Sequence, residues 1–121
     1  MSKPNTRAIA AKILAELQRG NGSLSSHLGK QTGLSDHALL QETLYGACRW
    51  FHLLEWLLNQ LLSRPLKAKD IELKSLLIVG LYQLRELSIP NYAVINETVS
   101  AANRLGKSWG RSLVNGVLRN Y

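Results

Sequence analysis

The side chains best suited to holding a metal or acting as a nucleophile are few in this sequence: His27, His37, His52 and Cys48. The histidines share no H-x-x-x-H or carboxylate spacing typical of a metal site, and no second cysteine exists to complete a thiolate pair, so no metal is expected. Cys48 is followed by Arg49, a cation that could lower a thiol pKa, but successive helical residues point in different directions and no histidine lies at i±3. It reads as partly buried helical filler. Glu97, beside Asn96, is the best candidate for a special carboxylate, because its helix has no other acid and it shares a face with Arg104 two turns on. No second carboxylate accompanies it, and a structural ion pair is the expectation. No G-x-G-x-x-G or Walker glycine loop occurs, so neither a nucleotide nor a methyl donor has a cradle. No catalytic residue and no cofactor site are expected.

The chemistry that remains is electrostatic. With 15 Lys plus Arg against 8 Asp plus Glu, the formal charge is +7, which favours a polyanionic partner, nucleic acid first. From Thr98 to the C-terminus there is no acid, while Arg104, Lys107, Arg111 and Arg119 are present. Arg111, Asn115 and Arg119 fall at i, i+4, i+8 on one helical face. At the other end Lys3, Arg7, Lys12 and Arg19 occupy an N-terminal arm and the outer side of the first helix. These eight cations are the candidate phosphate contacts.

The elements that must position them are all helical. Ile71 to Leu87 sets Leu73, Leu76, Leu77, Leu81, Leu84 and Leu87 on one wide face around Gly80, with Ile71, Ile78 and Tyr82 as a second stripe almost opposite. A helix apolar on two sides is buried between neighbours, and Gly80 lets one approach closely. Thr6 can cap a first helix to about Arg19, with Ile9, Ala10, Ile13, Leu14 and Leu17 inward and Ala8, Ala11 and Ala15 smoothing a basic outer face. Asn21 to Ser35 is a connector with one short helix that turns Leu24 and Leu28 inward.

From Ser35, as N-cap, one long helix is expected to about Ser63, because Leu39, Leu40, Thr43, Ala47, Trp50, Leu54, Leu57, Leu58 and Leu61 keep one phase. A break near Trp50 is the alternative, and Trp56 lies outside the apolar phase. Arg64-Pro65 ends it, and a basic turn with Lys67 and Lys69 leads to Asp70 as cap of the central helix. Asn91 can cap the next helix, which ends before Gly106. Its inner face holds Val94, Ile95, Thr98, Val99, Ala101, Ala102 and Leu105. The last helix, about Trp109 to Tyr121, buries Leu113, Val114, Val117, Leu118 and Tyr121.

The expectation is thus one all-α domain over residues 1–121, a bundle of about six helices, one short and one long. The longest apolar run, Leu76 to Tyr82, is too short to span a bilayer, and no signal peptide opens the chain. A lone cysteine fits a reducing, cytoplasmic setting.

Two stretches carry a family likeness. IPNYAVINETVSAANRLGK followed by LVNGVLRNY resembles the C-terminal signature of NusB-like helical domains. LLQETLYGACRWFHLLEWLLNQLLSRPLKAK with LLIVGLYQLREL resembles the N-terminal NusB-like domain of the ribosomal RNA small-subunit methyltransferase B family. In antitermination factors an acid usually follows the N-G-V-L element; Arg119 stands here, which points to the methyltransferase branch. The resemblance covers nearly the whole chain and implies a noncatalytic helical bundle that binds small-subunit rRNA and orients it. An S-adenosylmethionine-dependent domain further along would methylate cytosine C5, and its catalytic cysteines lie outside these residues. NusB relatives contact RNA through a basic N-terminal segment, where Lys3, Arg7 and Lys12 stand here. The implied partners are RNA, the protein's own C-terminal methyltransferase domain and, by analogy with the antitermination relative, a ribosomal protein; no membrane is implied. A protein-docking module and a stand-alone antitermination factor are the competing readings.

Overall fold

The computed structural model describes residues 4–31 and 36–121. Among them lie seven α-helices: α1 Thr6–Gln18, α2 Leu24–Gly29, α3 His37–Arg49, α4 Phe51–Leu61, α5 Ile71–Glu86, α6 Asn91–Arg104 and α7 Arg111–Arg119. The 3-10 turns Ala68–Asp70 and Ser108–Gly110 lead into α5 and α7, and no strand occurs among the described residues. The all-helical expectation holds.

Helix α5 is the axis its two apolar stripes predict. Ser75 through Gln83 are all buried, and α1, α3, α4, α6 and α7 each pack against it. Leu73, Leu76, Leu77, Ile78 and Leu81 have no solvent exposure, and burying each such side chain contributes about 2 kcal/mol. Gly80 does admit close neighbours: a Cβ there would sit 3.0 Å from Leu118 Cδ1 of α7 and 3.2 Å from Thr98 Cγ2 of α6.

The single helix expected over 35–63 is two helices. The break falls at Trp50, whose φ of −104° and ψ of 20° leave helical geometry for one residue. Hydrogen bonds from Trp50 N to Gly46 O and from Leu54 N to Trp50 O continue on either side, which is why the apolar phase crosses the break undisturbed. The two segments serve different neighbours: α3 packs on α1 and α5 through Leu40, Thr43, Leu44 and Ala47, while α4 reaches α5 through Leu54 and Leu58. Ser35, the expected cap, lies outside the described residues.

The outer face assigned to the first helix is also corrected. Ala8, Ala11 and Ala15 are buried, whereas Ile9 and Leu17 are only half-buried. Alanine brings a neighbouring helix close, and α1 packs on α5, α3 and α6 together, so the small side chains face protein. Helix caps shift by a residue. Asn5, not Thr6, caps α1, its Oδ1 accepting from Ala8 N at 3.1 Å. Pro90 precedes α6, with Asn91 inside its first turn. Asp70 stands before α5 but makes no capping hydrogen bond. Tyr121, expected inward, is exposed because α7 ends at Arg119.

Polar groups tie the inner helices together. Gln83 of α5 has no solvent exposure; its Nε2 donates to Thr43 Oγ1 on α3 at 2.9 Å, and its Oε1 accepts from Arg7 Nε on α1 at 2.9 Å. Gln18 Nε2 donates to Ser75 Oγ at 2.7 Å, a second link between α1 and α5.

Candidate nucleic-acid interface

The fold sorts the expected phosphate contacts by what already holds them. Lys12 is exposed on α1. Arg19, just past the end of α1, pairs with Glu16 at 3.7 Å, a solvent-exposed contact contributing about 0–1 kcal/mol that a phosphate could replace. Arg7 is different: half-buried, it gives its Nε–H to Gln83. Burial lowers its pKa, while the fields of Glu97 and Asp36 oppose that shift, and an arginine so placed stays charged. Its guanidinium is therefore engaged in a structural bond. Lys3 lies outside the described residues.

The other four cations gather along the packed pair α6 and α7. Arg104 is exposed in the last turn of α6. Lys107, in the connection, is half-buried and its Nζ lies 3.7 Å from the buried Asp70 carboxylate. Arg111 and Arg119 are exposed at either end of α7, Arg111 Nε donating to Ser108 O at 3.3 Å and Arg119 Nε to Asn115 Oδ1 at 2.9 Å. The spacing i, i+4, i+8 is thus realised as one polar face. Arg119 also borders a cleft of about 420 Å³ between α5, α6 and α7, lined by Leu84, Asn91, Ile95 and Tyr121. α1 and α7 are both neighbours of α5 and α6 without substantial packing on each other, so the cations are carried by two sets of helices, α1 and the α6–α7 pair.

A third cationic group was not among the expected contacts. Arg64, Lys67 and Lys69 line a cleft of about 280 Å³ opposite Trp109 and Leu113. The basic turn was visible in the sequence; its apposition to Trp109, some forty residues later, depends on how α7 folds back.

No group of three His, Cys, Asp or Glu side chains that could hold a metal occurs among the described residues. His27 Nε2 is hydrogen-bonded to Asn21 O at 2.7 Å, and His52 is exposed against the Phe51 ring edge. Burial pushes the Cys48 thiol pKa up, opposite to the activation a nucleophile needs. Alkylation of Cys48 by iodoacetamide at pH 8 is therefore expected to run several-fold slower than that of free cysteine, reaching the free rate in denaturant. A native rate equal to that of free cysteine would contradict the burial. Among the described residues, no helix is long and apolar enough to cross a membrane.

These features define an all-helical domain whose accessible chemistry is cationic. The chain belongs to the NusB family, which it matches over residues 4–121. It is 44% identical over 119 residues to the ribosomal RNA small subunit methyltransferase B of Pseudomonas syringae pv. tomato, covering 96% of this chain and 27% of that protein. It is 43% identical over 118 residues to the protein of the same name from Pseudomonas putida, covering 95% and 27%. To the probable ribosomal RNA small subunit methyltransferase B of Coxiella burnetii it is 36% identical over 117 residues, covering 97% and 27%. The chain thus spans 27% of the length of these relatives. The likeness to the NusB-like N-terminal domain of that methyltransferase family is borne out.

Proposed function

We propose that this domain binds small-subunit rRNA and orients it for a cytosine-5 methyltransferase domain of the same protein, without taking part in the chemistry. S-adenosylmethionine and the catalytic cysteines belong to that other domain, and the setting is the cytoplasm. The observation that carries the reading is the cationic edge of α6 and α7. Arg104, Arg111 and Arg119 are exposed on a stretch that has no acid from Thr98 onward. The relatives named for ribosomal RNA support it. Phosphate contacts of this kind position a nucleic acid without reading its sequence.

If about four cations neutralise phosphates of a single strand, log affinity should fall with log salt at a slope of about −3. The double variant Arg111→Ala, Arg119→Ala is expected to bind small-subunit rRNA segments about tenfold more weakly at low salt, with the slope reduced to about −1.5. A slope near zero for the parent chain would sink the reading.

A second reading, docking of the methyltransferase domain or of a ribosomal protein, is favoured by one feature. Trp56 on α4 is 59% exposed, and Tyr45 and Trp50 nearby in the chain are exposed as well. Helix α4 buries only Leu54 and Leu58 fully, leaving Leu53 and Leu57 half-covered. The neighbours of Trp56 one turn away are His52, Leu53, Asn59 and Gln60, so the patch is mixed rather than apolar. Binding of the parent chain to protein but not to RNA at low salt would favour this reading.

A further inference from the structure

The cleft between the α4–α5 connection and the turn before α7 combines two features that the eight expected contacts do not. Its rim holds Arg64, Lys67 and Lys69, all exposed, whose side chains make no hydrogen bond or ion pair with the described residues. Facing them is Trp109, 59% exposed. Leu62, Leu66 and Leu113, packed against the core, supply an apolar floor. The one acid in the lining, Asp70, is already matched by Lys107 at 3.7 Å. Its charge therefore does not cancel the rim.

The indole is also held in place. Gly110 is buried against Leu73 so closely that a Cβ would lie 2.8 Å from Leu73 Cδ2, and Gly110 N donates to Lys107 O at 2.8 Å. The backbone carrying Trp109 is thus pinned to α5, while its ring is left in solvent. An exposed tryptophan on a fixed turn, lining one cleft with three unpaired cationic side chains, has the form of a stacking platform.

We propose that this cleft is a subsite for one unpaired nucleotide of a single-stranded RNA, with the base stacked on Trp109 and the flanking phosphates met by Arg64, Lys67 and Lys69. The inference deepens the RNA-binding reading and rests on it. An acidic peptide would satisfy the cations but leave the indole without a partner. A base alternates a π-face with an anion, as the cleft alternates indole with cations. A duplex keeps its bases stacked inside, so the subsite discriminates against it.

The test is binding of the 121-residue chain to a fluorescein-labelled single-stranded ribooligonucleotide and to a duplex of the same sequence, by anisotropy across a salt series. Trp109→Ala should weaken single-strand binding roughly tenfold with the salt slope unchanged, and leave duplex binding alone. Trp109→Phe should keep most of the affinity, since a phenyl ring still stacks. With these three contacts added to the four counted above, the parent slope should steepen to about −5, and the triple variant Arg64→Ala, Lys67→Ala, Lys69→Ala should bind more weakly and return it to about −3. Because Trp109 and the three cations are exposed, these variants should melt like the parent chain, which circular dichroism checks. Polyglutamate should compete weakly, and equally well against the parent and Trp109→Ala.

Unchanged RNA affinity in Trp109→Ala, with the loss confined to Arg111→Ala, Arg119→Ala, overturns the subsite and leaves RNA binding standing on α7. Absence of RNA binding by the parent chain at low salt overturns both. Strong competition by polyglutamate that depends on Trp109 overturns the subsite in favour of an acidic protein partner.

Discussion

Gln83→Ala is expected to destabilise the domain by about 3 kcal/mol, lowering the thermal midpoint by about 10 °C. Gln83 is wholly enclosed in α5 and is the point at which α1, α3 and α5 are joined by side-chain hydrogen bonds. Its removal leaves Thr43 Oγ1 without its donor and Arg7 Nε without its acceptor, in a region where water cannot replace them fully. An unpaired buried group costs about 1–3 kcal/mol, and the lost side-chain volume adds a cavity. Gln83→Met separates the two contributions. It keeps the volume and loses the bonds, and should cost about 2 kcal/mol. Chemical denaturation of the three proteins is the measurement. Equal stability of parent and Met variant would mean that the network contributes specificity rather than stability. The consequence reaches the cationic surface, since Arg7 belongs to α1, the helix that presents Lys12 and Arg19. Every buried side-chain polar atom of the described residues has a partner, so loosening this junction leaves an exception where the fold has none.

Gly46→Val should cost about 3 kcal/mol, an effect of the same order from the opposite cause. The Tyr82 ring of α5 lies directly over Gly46 of α3, in the space that a Cβ at Gly46 would occupy. Any side chain there must push the ring aside. Tyr82 is buried, and its hydroxyl points toward Glu42 at 3.5 Å; burial, with the Glu42 and Glu86 carboxylates, raises the phenol pKa. Alanine would recover about 1 kcal/mol of helix propensity and should be the milder substitution; valine adds bulk without that gain. Combining Gly46→Val with Tyr82→Leu removes the outer ring atoms and should restore part of the loss, a coupling that a double-mutant cycle reads directly. If Gly46→Val melts with the parent, the ring swings into solvent at no cost, and the α3–α5 contact does not depend on glycine.

Neither residue stood out in the sequence, and the reason is the same for both. Gly46 fits a helical phase as any small residue would, and Gln83 reads as a polar position on a helix that is otherwise core. What makes each one matter is a residue about forty positions away, Tyr82 for the first and Thr43 for the second. The sequence leaves a break near Trp50 as the alternative and cannot choose it, for a related reason. Hydrophobic periodicity records phase, and a one-residue departure that keeps the flanking hydrogen bonds leaves phase unchanged. The alanines of α1 were misassigned because apolar moment separates large side chains from polar ones and says little about small residues, which suit a smooth surface and a close helix contact equally.

The cations were legible as a list and not as a surface. Arg111, Asn115 and Arg119 were placed on one face because helical geometry alone dictates it, and the structure agrees. Arg7 looked like the other basic residues of its helix, yet its guanidinium turns to Gln83. Lys67 and Lys69 read only as a basic turn and Arg64 as part of a helix stop, because the partner that gives them meaning, Trp109, arrives through the packing of α7.

By itself the sequence determined the helical class, the buried axis at Ile71 to Leu87, the excess of positive charge and, through its family motifs, the NusB likeness. These are local or summed properties: periodicity, capping, charge and motif need no knowledge of which helix meets which. Only the tertiary structure decided that the long segment divides at Trp50, that α1 is enclosed on its alanine side, that Arg7 is tied into the core, and that three lysines and arginines face an exposed indole. Each of those depends on contacts between residues far apart in the chain, and helix packing offers several crossing geometries that satisfy the same apolar pattern.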